Sequence, residues 1–182
     1  DALYSGTQKC LSCPPGLAPL SFSEKAVAAL ESRKTKVPNW YLDLSMIKKY
    51  WKGATRAYHH TAPINMHYGL YQALQLIMDE GPDTVYRRHM THHKQLVKGL
   101  EDLGLTMLVA PGHRLPMLNS VRVPEGIDEA AVRSKLLNRY KIEIGAGLGP
   151  VAGKIWRIGL MGHTARQENV FRLLTALKAI LQ

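Results

Sequence analysis

Apolar positions follow two rhythms along the chain. Over the first hundred residues they recur at helical spacing between short breaks, and beyond Gly104 they gather into short runs separated by turns. The chain begins with a short apolar run through Tyr4 that gives way to small and polar residues, reaches Lys9, and enters Cys13-Pro14-Pro15-Gly16, where regular structure must stop. This predicts a short buried strand with Lys9 at its exit. Ser23 is placed to cap a helix from Glu24 to Ser32 with Ala26, Ala29 and Leu30 on one face, and Leu44 to Trp51 reads as a second helix carrying Ile47, Tyr50 and Trp51. Gly53 opens a polar loop that ends in Tyr58-His59-His60-Thr61-Ala62-Pro63. Tyr68, Leu70, Tyr71, Leu74 and Ile77 then give a wide apolar stripe to a helix over Asn65–Met78. Gly81-Pro82 breaks the pattern, and a long helix follows from Asp83 to Leu103, with Gly104 as its C-terminal stop.

Past Gly104, Leu105–Val109 and Leu118–Val123 read as strands, Asp128 caps a helix to Tyr140, Ile142–Gly145 and Ile155–Leu160 are strands, and Arg166–Leu181 is a final helix. Val170, Leu173, Leu174, Leu177 and Ile180 form its inner face. The order β-β-α-β-β-α implies a small α+β domain with helices over an antiparallel sheet, which sets a domain boundary near Gly81: residues 1–80 on one side, 81–182 on the other.

Composition narrows the function classes. With 182 residues, 46% of them hydrophobic, the chain can bury a real core. A formal charge of +10 would attract polyanions. The basic residues are nevertheless scattered as pairs, Arg33-Lys34, Lys48-Lys49 and Arg87-Arg88, and aromatics are only 7%, so solvated faces are favoured over nucleic-acid binding. No stretch is long and apolar enough to span a membrane, so no membrane partner is expected. The first residue is Asp rather than Met, which fits a fragment or processed chain, and the end, A-I-L-Q, lacks an S-K-L type address. Cytoplasm is the default compartment, with peroxisome and mitochondrion left open.

Several residues carry candidate chemistry. A lysine at a strand exit, where α/β proteins bind ligands, is a candidate nucleophile and Schiff-base former. Cys10 and Cys13 make a C-x-x-C, but Pro14 follows at once and no second ligand pair exists, so small buried thiols in a reducing compartment are expected rather than redox or zinc chemistry. His89, His92 and His93 have i, i+3, i+4 spacing, yet no carboxylate or cysteine completes a site; His59 and His60, adjacent on an extended loop, should point apart. Packing is expected for both groups and no metal is assigned. Tyr58 and Thr61 offer two hydroxyls just before a helix, suitable donors to a phosphate. Gly145-Ala146-Gly147-Leu148-Gly149 lacks the strand, turn and helix context of a dinucleotide fingerprint and reads as a flexible connection. Arg157, inside the apolar strand Trp156-Arg157-Ile158-Gly159, requires an anionic partner, either a structural carboxylate or a ligand.

Ser5-Gly6-Thr7-Gln8-Lys9 followed by a P-P-G turn resembles the cofactor-lysine segment of the alanine–glyoxylate (serine–pyruvate) aminotransferase family. The resemblance continues through Arg33–Lys36, Trp40–Asp43, Tyr58–Pro63, Arg114–Pro116, Gly145–Gly149 and Trp156–Gly162, in the family's order and near its spacing. It implies an α/β fold, the fold-type I pyridoxal-phosphate transferase (aspartate aminotransferase-like) architecture. Only the C-terminal half is represented: the end of the large cofactor-binding domain (1–80) and the small C-terminal α+β domain (81–182). It further implies the cofactor pyridoxal 5'-phosphate, with Lys9 as catalytic Schiff-base lysine and proton shuttle, and Gln8, Tyr58 and Thr61 on the phosphate. Arg157 would clamp the substrate α-carboxylate. Tyr58 and Thr61 would serve a partner subunit, so the active site would be shared across a homodimer. The glycine cluster becomes a loop near the substrate, and Arg33–Lys36 either borders the active-site mouth or is a solvated helix end.

The implied reaction is transamination between alanine or serine and glyoxylate or pyruvate. The groups that hold the pyridine nitrogen, stack on the ring and wrap the phosphate would lie in the missing N-terminal half, so the 182-residue chain alone should be inactive. A phosphoserine aminotransferase or a cysteine desulfurase would share the lysine, but a desulfurase needs a nucleophilic cysteine in the small domain and both cysteines here precede residue 14. A non-enzymatic basic binding module is the alternative from another class.

Overall fold

The computed structural model describes residues 1–182 except Gly53 and Arg56, and the side chain of Lys52 is likewise outside the described set; the loop opening expected at Gly53 therefore lies outside the described residues. The chain divides into two compact units, Asp1–Gln8 with Cys13–Gln72, and Lys9–Ser12 with Ala73–Gln182.

In the first unit, β1 (Ala2–Tyr4) pairs antiparallel with β2 (Leu20–Phe22), Ala2 opposite Phe22 and Tyr4 opposite Leu20. The strand expected before Lys9 exists, but all of its residues are exposed rather than buried. Helix α1 of this unit lies against β2, but it covers the hairpin only in part: Leu20 stays 44% exposed and Phe22 40%. Helix α1 (Glu24–Glu31) starts as Ser23 dictates, its Oγ accepting the Ala26 N–H at 3.2 Å. A 3-10 turn over Trp40–Leu42, not anticipated from the sequence, leads into α2 (Leu44–Lys52). Helix α3 (Ile64–Glu80) belongs to this unit through Gln72. Its expected apolar stripe is largely open to solvent: Tyr68 is 72% exposed and Tyr71 64%, while the small Ala73 is its buried residue.

The second unit holds the core. Helix α4 (Pro82–Asp102) begins at a proline, whose missing N–H is no loss in a first turn, and stops at Gly104 with φ +80°, a conformation that glycine adopts without strain. Strands β3 (Leu118–Arg122), β4 (Gly145–Ala146) and β5 (Ile155–Gly159) form one antiparallel sheet in the order β3-β5-β4, with Ser120 and Gly145 opposite Arg157 on either side. Helix α5 (Glu129–Tyr140) is capped by Asp128, whose Oδ1 accepts the Ala131 N–H at 3.0 Å, and α6 (Gln167–Leu181) packs against α4 and α5. Leu96 and Leu100 of α4, Val121 of β3, Leu136 of α5, Trp156 of β5 and Leu177 of α6 meet in a water-free centre. Burial of each of the leucines stabilises by about 1.5–3 kcal/mol.

Two expected strands are corrected. Leu105–Val109 makes only an isolated bridge, Met107 opposite Val121, and the pairing expected of Ile142–Gly145 is confined to Gly145–Ala146. The first run touches β3 through two backbone bonds, Leu108 N–H to Ser120 O at 2.9 Å and Arg122 N–H to Thr106 O at 2.8 Å, and in both runs side-chain packing does the rest: Leu105 and Ile144 are buried and belong to the core. The glycine cluster is also not a flexible connection. Gly145–Ala146 is strand, the Gly147 N–H donates to Ile155 O at 3.0 Å, and Gly149–Val151 is a 3-10 turn.

Candidate active site

The motifs at residues 40–43 and 58–61 come together in the first unit. His59 packs against Trp40 with ring centroids 4.7 Å apart, and its Nε2 lies 3.0 Å from Trp40 O. His60 packs against Tyr41 at 5.2 Å and Tyr50 at 5.7 Å, and Tyr50 reaches Tyr58 at 6.2 Å. The two histidines do not point apart: their Nδ1 atoms are 2.8 Å from each other. Alternation along an extended loop fails here because each ring is captured by aromatics of residues 40–50. One Nδ1 must donate and the other accept. Asp43 accepts from Ser45 N at 2.9 Å and Ser45 Oγ at 2.6 Å at the start of α2, and the Ser45 hydroxyl is the first cause that holds its carboxyl below the usual aspartate range.

Carried on this aromatic base, Tyr58 Oη and Thr61 Oγ1 hydrogen-bond to each other, both side chains exposed, three residues before α3 opens at Ile64. A pair of converging hydroxyls ahead of a helix start, where the first backbone N–H groups lack partners, suits an oxyanion such as a phosphate. Gln8, in the same unit, is exposed, and its Oε1 lies so close to Gly6 that a Cβ there would sit 2.7 Å from it. The residues Arg33–Lys36 are all exposed, with Arg33 Nε donating to Thr35 O at 3.3 Å.

Lys9 belongs to the second unit and is exposed, and no acidic side chain pairs with it among the described residues. It opens a turn closed by the Ser12 N–H donating to Lys9 O at 2.9 Å. Arg157 sits at the centre of the three-stranded sheet, half-buried, its Nε donating to Ala146 O at 2.6 Å. The structural carboxylate that an arginine on an apolar strand could have required is not there among the described residues. With Nε engaged by the carbonyl, the two terminal nitrogens remain as a fork for an incoming carboxylate.

No direct contact among the described residues joins Lys9 to Arg157. What connects them was not anticipated from the sequence. Arg88 Nη1 donates to Gly162 O at 2.8 Å and Ala165 O at 3.0 Å, while its remaining nitrogens hold the Glu80 carboxylate. That guanidinium keeps the Glu80 carboxyl below the usual glutamate range, chiefly by hydrogen bonding. His89 Nδ1 lies 2.7 Å from Val85 O and its Nε2 accepts the Gly162 N–H at 2.9 Å, so its partners define a neutral ring protonated on Nδ1. His92 meets Gln95 and His93 meets Asn119, each at 2.8 Å. The helical triad thus spends its nitrogens on four different partners. Among the described residues no group of three or more potential ligands could hold a metal ion. Cys10 and Cys13 are free, Cys13 buried and Cys10 half-buried.

The fold belongs to a known class, that of the fold-type I pyridoxal-phosphate transferases. The chain superposes on a solved alanine–glyoxylate aminotransferase from Nostoc with TM-score 0.95 and 48% identity, covering 100% of this chain and 48% of that one. A solved ureidoglycine–glyoxylate aminotransferase from Bacillus subtilis gives TM-score 0.92 at 38% identity, covering 100% and 46%. Residues 1–173 match the family model for aminotransferase class-V, and the chain belongs to that family, whose members depend on pyridoxal phosphate. Alanine–glyoxylate aminotransferase from Rattus norvegicus is 42% identical over 185 residues, covering 100% of this chain and 45% of its own length. The chain spans about half the length of the curated relatives it matches.

Proposed function

We propose that the protein to which this chain belongs is a pyridoxal-phosphate-dependent aminotransferase that moves an amino group between a small amino acid, alanine or serine, and a small 2-oxo acid, glyoxylate or pyruvate. The observation that carries this reading is Arg157: a half-buried guanidinium on the central strand whose partner is a backbone carbonyl and whose terminal nitrogens meet no carboxylate among the described residues. In this reading residues 1–80 are the end of the large cofactor-binding domain and residues 81–182 the small domain.

The residues present fit the cofactor: an exposed amine at Lys9, an exposed amide at Gln8, and converging hydroxyls at Tyr58 and Thr61. Pyridoxal phosphate, when bound, supplies the electron sink for charge that develops at the substrate α-carbon. Lys9 Nζ would hold it and would carry the proton at that carbon as general base and acid. Gln8, Tyr58 Oη and Thr61 Oγ1 donate to the phosphate, the last two across a dimer. Arg157 binds the α-carboxylate through both terminal nitrogens and so orients the carbon that loses its proton. Names of relatives extend the range of amino donors to be assayed to ureidoglycine.

The test is borohydride reduction of the complete protein with its cofactor, followed by peptide mass spectrometry. A pyridoxyl group on Lys9 is the expected result; an unmodified Lys9 would overturn the reading. A panel of alanine, serine and ureidoglycine against glyoxylate and pyruvate then ranks the substrates, which differ by about one methyl group in the acceptor and hence by only ~1–3 kcal/mol of discrimination.

A further inference from the structure

Strand β5 does not stop mattering at Gly159. The chain runs on through Leu160 and Met161 to Gly162, five residues beyond Arg157, and there meets the segment that carries Lys9. Ser12 Oγ accepts the His163 N–H at 2.8 Å. Gly162 has φ +55°, and a Cβ there would lie 1.9 Å from Ser12 Oγ and 2.7 Å from Cys10 O. Both are distances no side chain could occupy, so the backbone of the Lys9 turn lies directly against the backbone of this glycine. Ser12 itself has φ +57°, a left-handed conformation rare outside glycine and asparagine, and it closes the Lys9 turn through its own N–H. Gly162 is pinned from the other side by α4, its N–H on His89 Nε2 and its carbonyl on Arg88 Nη1. Every atom in this chain of contacts belongs to the second unit.

The geometry points to Ser12 and Gly162 as positioning residues for Lys9. They fix the turn that bears the amine to the same polypeptide stretch that bears Arg157, so that the proton-carrying nitrogen and the carboxylate fork are set relative to one another by a few backbone contacts. This rests on the assignment of Lys9 and Arg157 in the proposed function. The cost of a left-handed Ser12 is understandable in these terms: that backbone conformation is held where Oγ meets the His163 N–H, and strain of this kind persists where the surroundings over-determine it.

Ser12→Ala removes the acceptor and keeps the size. Ser12→Asn keeps a side-chain acceptor and favours the left-handed backbone. Two readouts apply. In the protein without cofactor, amide exchange at His163 should become about five- to tenfold faster in Ser12→Ala, the loss of one hydrogen bond, and much less so in Ser12→Asn. In the complete protein with pyridoxal phosphate, Ser12→Ala should label more slowly at Lys9 on borohydride reduction and lose about ten- to a hundredfold in kcat, with KM for the amino acid nearly unchanged, and Ser12→Asn should restore both. Unchanged exchange at His163 would overturn the contact. Faster exchange with wild-type Lys9 labelling and kcat would overturn the positioning role while leaving the proposed function intact. Absence of Lys9 labelling in the wild type would instead overturn the function reading, and this inference with it.

Discussion

Replacing Arg88 with methionine separates the two jobs that this side chain performs. Methionine keeps most of the apolar stem but removes the donors. Gly162 and Ala165 are both buried, and their carbonyl oxygens accept from the same Nη1 at 2.8 and 3.0 Å. A buried acceptor left without its donor costs about 1–3 kcal/mol. Gly162 O keeps the Ala165 N–H at 3.2 Å, so the penalty falls chiefly on the Ala165 carbonyl and stays at about 1–3 kcal/mol, with the upper part of that range reached only if no water enters. The Glu80 carboxylate adds little, because its side chain is one-third exposed and such pairs are worth about 0–1 kcal/mol. Glu80→Gln should therefore cost under about 1 kcal/mol, and Arg88→Met more, about 1–3 kcal/mol. With Trp40 and Trp51 replaced by phenylalanine, urea unfolding followed by the fluorescence of Trp156, fully buried beside α5 with its Nε1–H on Glu129 O, measures both variants in the unit concerned. An Arg88→Met protein no less stable than Glu80→Gln would refute the assignment of Arg88 to the two carbonyls.

Three further outcomes are expected. Arg157→Ala should raise KM for the amino acid by about ten- to a hundredfold, the worth of a charge-assisted pair, while cofactor attachment at Lys9 persists; steady-state kinetics and borohydride labelling check the two halves. Gly147→Ala should destabilise by more than about 2 kcal/mol, because its Cβ would lie 2.0 Å from Val151 O and 2.9 Å from Ile155 Cγ1, where the turn beside β5 cannot give way; chemical denaturation reads the loss. The Glu80 carboxyl titrates below its ordinary 4.5, so it contributes stability at pH above 4.5 that is lost as pH falls through its lowered value in the folded protein. The stability gap between wild type and Glu80→Gln should accordingly narrow below pH 4.5, and a gap that widens on acidification would contradict the pairing.

The sequence disclosed what depends on single residues acting locally. Ser23 and Asp128 cap the helices they were expected to cap, Gly104 ends α4, and the apolar faces of β3, β5 and α6 pack where their periodicity put them. It failed where a pattern needs a partner to have meaning. The stripe of α3 and the run before Lys9 have the spacing of buried elements, yet burial is decided by what covers a face, and spacing carries no information about that. Leu105–Val109 shows the converse: an apolar run can join the core while meeting the sheet through a single bridge. The site was legible as residue types, Lys9, Arg157 and the hydroxyls of Tyr58 and Thr61, but the links between them were not. Ser12 and His163 are 151 positions apart, Arg88 and Gly162 74, and no periodicity spans such intervals. The one signal available was Gly162 itself, a glycine closing the W-R-I-G-L-M-G stretch at a place where a side chain would have been the default.

The hairpin of β1 and β2 has two outer edges and, among the described residues, no third strand on either. Its Tyr4 is 80% exposed and Leu3 71%, next to backbone donors and acceptors that point outward. Such an edge is adhesive: it recruits whatever extended peptide reaches it first. Two hairpins of this kind can therefore find each other edge to edge, and because that encounter takes two molecules its rate rises with protein concentration.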